Sequence, residues 1–114
     1  MPSPFDILFE PVKIGPVTAP NRFYQVPHCN GFGHRMPQGL AALRGTKAEG
    51  GWGAVCPAEV EIHHSSDLSP YFEGRLWSED DLPALALMAA AGHNHGALAG
   101  SHMASNGTNA SRRQ

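Results

Sequence analysis

The sequence predicts an α/β chain built on a parallel sheet. Two observations carry this reading. Short apolar runs with strand character sit at residues 22–26, 53–62 and 96–100. Segments with apolar residues at helical spacing separate them, at 40–49 and about 80–92. Right-handed βαβ units turn an order of strand, helix, strand, helix, strand into a parallel sheet.

The elements follow in order. Residues 7–14, I-L-F-E-P-V-K-I, read as extended, with Pro11 marking an irregular or edge position. Gly15-Pro16 is a turn, and Val17 to Ala19 return as a short second strand. The first buried strand runs from Arg22 to Val26 and ends in Pro27, His28 and Cys29. Those residue types sit awkwardly at a strand terminus unless something uses them, and strand ends are where α/β sheets bind ligands. Residues 30–39 are rich in turn formers and read as a loop. Leu40, Ala41, Leu43 and residues 47–49 suit a helix that Gly50-Gly51 ends. Residues 53–62 read as the second strand, with Pro57 in or near its exit, and a polar loop follows from His63 to about Leu76.

Ser78-Glu79-Asp80-Asp81 is an acidic helix start, favourable to the helix dipole, and Pro83 is tolerated in the first turn. Leu82, Leu85, Ala86, Met88 and Ala89 give the helix its apolar face. Gly92 and Gly96 frame its end, before the third strand.

A chain of 114 residues allows one domain with a modest core. Eight Lys and Arg against ten Asp and Glu leave a net charge of −2, which gives no electrostatic case for nucleic acid or an anionic membrane. No apolar run has the length to span a bilayer, and the first residues lack the features of a signal peptide, so the expected location is cytoplasmic. Cys29 and Cys56 are then expected as thiols.

Each candidate residue carries two readings. Cys29 is either a packed, inert thiol or a reactive one at a strand end. Cys56, inside an apolar strand, is expected to be packed. Glu59 and Glu61 lie near the end of the second strand; one meets a ligand from the top face, or both take edge or solvent positions. His63 and His64 are adjacent on a strand or loop and are expected to point apart. His93 and His95 suit a helix C-terminus. Without spaced cysteines or carboxylates, the seven histidines make no metal site. Trp52 and Trp77 are expected to pack helices against the sheet.

Five motifs carry a resemblance: F-D-I-L-F-E-P-V-K-I-G at 5–15, N-R-F-Y-Q-V-P-H-C-N-G at 21–31, K-A-E-G-G-W at 47–52, L-W at 76–77 and H-G-A-L-A-G at 95–100. In this order they resemble the N-terminal part of the old yellow enzyme class of FMN-dependent (β/α)8 TIM barrels. Within that class the chain looks closest to the amine-dehydrogenase branch of trimethylamine dehydrogenase and the dimethylglycine demethylases. The resemblance implies a hairpin closing the bottom of the barrel, N-R-F opening its first strand, and Val26, Pro27 and His28 lining the FMN site. It places Cys29 where trimethylamine dehydrogenase bonds its flavin covalently. It implies an oxidoreductase that passes a hydride from a small methylated amine to the flavin; water then hydrolyses the iminium to formaldehyde and the demethylated amine.

Two departures qualify the resemblance. A complete barrel needs about 250 residues. Residues 1–114 are therefore expected to be a partial barrel, truncated after the third strand and inactive alone, with the arginines for the FMN phosphate beyond it. Its open sheet edges invite an oligomer or a partner chain, which leaves an inactive fragment or an interaction module as alternative readings. The second departure follows A-L-A-G. There His102 takes the place of the family's carboxylate or carboxamide that reads the pyrimidine edge of the flavin.

Overall fold

The structure is a computed structural model that describes residues 1–66 and 74–104. The chain opens on a 3-10 turn, Asp6–Phe9, where an extended run was expected. The Asp6 carboxylate accepts the Ser3 N–H at 2.8 Å and coils the chain before the apolar residues can extend. Strand β1 (Val12–Ile14) and strand β2 (Val17–Ala19) then pair antiparallel, Val12 opposite Ala19. Gly15, at φ +56°, makes the turn between them.

Among the described residues, eight further strands and α-helices follow: β3 (Tyr24–Gln25), α1 (Pro37–Glu49), β4 (Ala54–Val55), β5 (Glu59–Glu61), β6 (Gly74–Arg75), α2 (Leu82–His93), β7 (Leu98–Ala99) and β8 (His102–Ala104). One parallel sheet has the order β3-β4-β7 and a second the order β6-β5-β8. This is the N-terminal portion of a (β/α)8 barrel, an α/β arrangement without closure.

The expected second strand, 53–62, is divided into β4 and β5, and the third into β7 and β8. The registers explain the break. Val55 pairs with Ala99, and Glu59 pairs with His102. Four steps along one strand therefore oppose three along the other, so the Cys56-Pro57-Ala58 stretch holds one extra residue. That is a β-bulge, and Pro57 has no N–H to keep the ladder intact through it. β6 takes, on β5, the edge that β3 takes on β4.

Helix α1 begins at Pro37, inside the expected loop, because proline's missing N–H and fixed φ suit a first helical position. Glu79–Asp81 form a 3-10 turn ahead of α2. There the Asp81 carboxylate accepts the N–H groups of Trp77 and Ser78 at 2.9 and 3.2 Å. The two helices pack closely because Gly45 has no side chain: a Cβ there would lie 3.3 Å from the Ala91 Cβ.

Ala48, Val55, Met88 and Ala97 form the buried core between helices and sheet. Of the five residues expected on the apolar face of α2, only Met88 is buried, and Leu82 is exposed. The buried positions of α2 are Met88 and Gly92, one turn apart, with Gly92 directly over Val55. No described helix is long and apolar enough to cross a membrane.

The first strand is not buried as expected. Gln25 is buried, whereas Tyr24 and Val26 are exposed. Gln25 pairs with Val55 on the helix-covered face, so its neighbours in sequence point to the opposite, uncovered face.

The N-R-F motif ties three segments together below the strands. Asn21 donates Nδ2 to the Gly51 carbonyl at 2.7 Å and accepts the Phe23 N–H at 3.0 Å. Arg22 donates Nε to the Ile7 carbonyl at 3.0 Å. Phe23 stands edge-on to both Phe9 and Trp52. Trp52 thus packs edge-on against Phe23, and it lines a cavity of about 470 Å³ with Phe9, Asn21 and Phe23.

Candidate functional site

The chain leaves β3 at its carboxyl end through Val26, Pro27, His28 and Cys29. Val26, His28 and Cys29 are exposed, and Pro27 is half-buried. Cys29 is therefore not packed in the interior. Cys56 is buried, as expected.

Two buried side chains hold this exit. Gln25 accepts the Cys56 N–H with Oε1 at 3.2 Å and donates Nε2 to the Val26 carbonyl. It thereby joins the strand end to the bulge. Arg44, on α1, is 1% exposed and donates Nη2 to the His28 carbonyl at 2.8 Å. Burial lowers the pKa of its guanidinium, and the nearby thiols of Cys56 and Cys29 oppose that shift. Arg44 Nε and Asn30 Nδ2 are buried without a hydrogen-bond partner. Both residues line a cavity of about 410 Å³ with Gln25, His28, Leu43 and Lys47.

Glu59 and His102 are partners across β5 and β8. Glu59 is half-buried and His102 exposed, so the pair presents one carboxylate and one imidazole on neighbouring parallel strands. Glu61 is 1% exposed, which removes the solvent reading for that residue.

His63 and His64 do not point apart. Their rings lie 4.1 Å apart at a 34° tilt, because a 3-10 turn begins at His64 and breaks the strand alternation that would separate them. His63 Nδ1 meets the Ser65 hydroxyl at 2.7 Å, and the His64 ring stands edge-on to Trp77. Arg75 stacks over the Trp77 ring, 4.6 Å from its centroid, so that tryptophan packs on the 3-10 turn at His64 and on β6. No group of three or more His, Cys, Asp or Glu among the described residues could hold a metal ion.

Sequence reasoning missed Arg44, Gln25 and Tyr24. For Arg44 a signal existed. Leu40, Arg44 and Ala48 recur every four residues, so a cation interrupts the stripe that faces the sheet.

Comparison with known proteins places this geometry in context. The NADH:flavin oxidoreductase / NADH oxidase family matches over residues 7–114. A dimethylamine dehydrogenase of Hyphomicrobium sp. (strain x) is 50% identical over 96 residues, which cover 84% of this chain and 13% of that protein. The structure of histamine dehydrogenase from Rhizobium sp. 4-9 superposes with a TM-score of 0.84 at 55% identity, over 89% of this chain and 15% of that one. The 6-hydroxypseudooxynicotine amine oxidase of Pseudomonas geniculata N1 gives 0.85 at 48% identity, over 92% and 16%. The chain thus spans only a small part of the length of these relatives.

Proposed function

The chain belongs to the NADH:flavin oxidoreductase / NADH oxidase family, and we propose that it forms the flavin-facing edge of an FMN-dependent amine oxidoreductase. The observation that carries this reading is the exit of β3, where an exposed thiol, Cys29, follows Val26, Pro27 and His28 at the carboxyl end of a parallel strand. The donor set fits the ring of a flavin. Val26 and Pro27 offer apolar contact, Cys29 a covalent anchor, His102 a hydrogen-bond donor for the pyrimidine edge, and half-buried Glu59 a carboxylate beside it. Bound FMN would accept the hydride of an amine oxidation.

The chain's own residues then orient and hold. Gln25 and Arg44 hold two carbonyls of the strand exit, those of Val26 and His28, and so position the backbone that presents Cys29. The substrate class in this reading is a small methylated amine, and the reaction is its oxidative demethylation. The likeness to a dimethylamine dehydrogenase supports that choice. The remaining cofactor and substrate contacts come from the segments that the longer relatives contain. The reading includes a cytoplasmic location and a single partial-barrel domain over 1–114.

The test is the intact mass and visible spectrum of the chain expressed with excess FMN, beside Cys29→Ala. A flavin adduct present in the parent and lost in the variant is the expected result. Flavin held equally by both would remove the covalent anchor. No flavin in either would show that these residues do not form a working cofactor edge by themselves. The amine class is read separately, as anaerobic bleaching of the flavin band by dimethylamine in a flavin-loaded, longer protein carrying this segment; an unbleached band would remove it.

A further inference from the structure

Arg44 is in an unusual position for a guanidinium. It is 1% exposed and lies in the middle of the apolar stripe of α1. No carboxylate is among the groups that act on the charge of Arg44. An arginine does not shed its proton in a protein, and a buried, unmatched charge is costly. Something near it must respond to that charge. The groups at hand are the His28 carbonyl, at 2.8 Å, and the two thiols that act on it, Cys56 and Cys29.

The two thiols differ in their capacity to respond. Cys56 is buried, and its sulfur lies 3.0 Å from the Tyr24 hydroxyl. Cys29 is exposed, so its ionised form keeps its water while it feels the guanidinium. Its proton leaves to solvent. Among the described residues that line the cavity with Arg44, Lys47 and His28 are the other charged or titratable groups.

We propose that Arg44 is the positioning residue of the strand exit: from the helix layer it clamps the His28 carbonyl and turns a buried positive charge on Cys29, favouring the thiolate. This deepens the proposed function, since it rests on Cys29 as the reactive group. It gives the helix face a second role beside packing. A thiolate is the form that attacks an electrophilic ring carbon.

The experiment is alkylation of Cys29 by iodoacetamide between pH 6 and 10 in the full chain, read by peptide mass without any flavin. Arg44→Gln keeps a hydrogen-bond donor for the His28 carbonyl and removes the charge; Arg44→Lys keeps the charge. The expected result is a rate at pH 7 about threefold to tenfold lower in R44Q, with its pH profile moved to higher pH, and R44K close to the parent. A folded R44Q that titrates with the parent would overturn the proposal. Should R44Q fail to fold, the parent decides alone. Native Cys29 must titrate below Cys29 in the urea-unfolded chain, and an equal or higher value overturns the proposal. Failure of the flavin reading is distinct: an acidic Cys29 that binds no FMN removes the cofactor assignment and leaves the role of Arg44 standing.

Discussion

The hydroxyl of Tyr24 lies 3.0 Å from the sulfur of Cys56, across the pairing of the first and second barrel strands. From the third strand Gly100 closes on the same sulfur, where a Cβ would come within 2.9 Å. Three neighbouring strands thus meet at one buried thiol, just where the bulge begins.

The contact raises the pKa of Tyr24 above its ordinary value of 10.0, through the hydrogen bond to Cys56 first, then burial and the electrostatic effect of the Cys56 sulfur. The fold therefore favours the protonated phenol. The stability this gives is fully present below the unfolded value and is lost as pH rises through the folded one. Absorbance titration near 295 nm should show one tyrosine ionising late, and Tyr24→Phe should remove it. A late phase that persists in Y24F would assign the shift elsewhere.

Cys56 should be shielded in the folded chain. A thiol reagent is expected to label Cys29 at once and Cys56 about a hundredfold more slowly, at the pace of opening. Peptide mapping over time distinguishes them, and equal rates would contradict the burial of Cys56. Gly100→Ala should speed the labelling of Cys56, because the added methyl displaces its sulfur.

Gly92 carries α2 across Val55. A Cβ at that position would lie 2.9 Å from Val55 Cγ2, and Val55 is wholly buried. Overpacking of this kind costs about 1–3 kcal/mol, against about 1 kcal/mol gained from better helix propensity. Gly92→Ala should therefore lower the urea midpoint despite improving the helix. Adding Val55→Ala should cost less in the G92A background than in the parent, because the two changes share one contact. Strict additivity would disprove the clash.

Asn21 joins the start of β3 to the turn after α1 through both ends of its amide. Asn21→Ala should cost about 1–2 kcal/mol by thermal melting. Asn21→Asp should be no better, since its carboxylate would set an oxygen against the Gly51 carbonyl. An unchanged melting temperature in both variants would show the link to be dispensable.

Much of the fold was legible because its signals are local. Gly15-Pro16 forecast the hairpin turn, Gly50-Gly51 ended the first helix, and the acidic run at 78–81 opened the second. The division of the second strand was less legible. Pro57 forecasts a disturbance, but only the partner register reveals an extra residue. The stacked His63 and His64 likewise depend on a turn that neither residue announces.

At the candidate site, the order V-P-H-C was enough to single out residues 26–29, and motif order was enough to indicate the family. Those are properties of the linear chain. The tertiary structure decided what surrounds them: Arg44 beneath His28, Gln25 between the strand end and the bulge, Tyr24 against Cys56 and Glu59 opposite His102. Each of these pairs is more than ten residues apart in sequence, apart from the local bond of Gln25 to Val26. Turn and helix preferences are written in neighbouring residues. A buried charge and its partners depend on which distant segments the parallel sheet brings side by side.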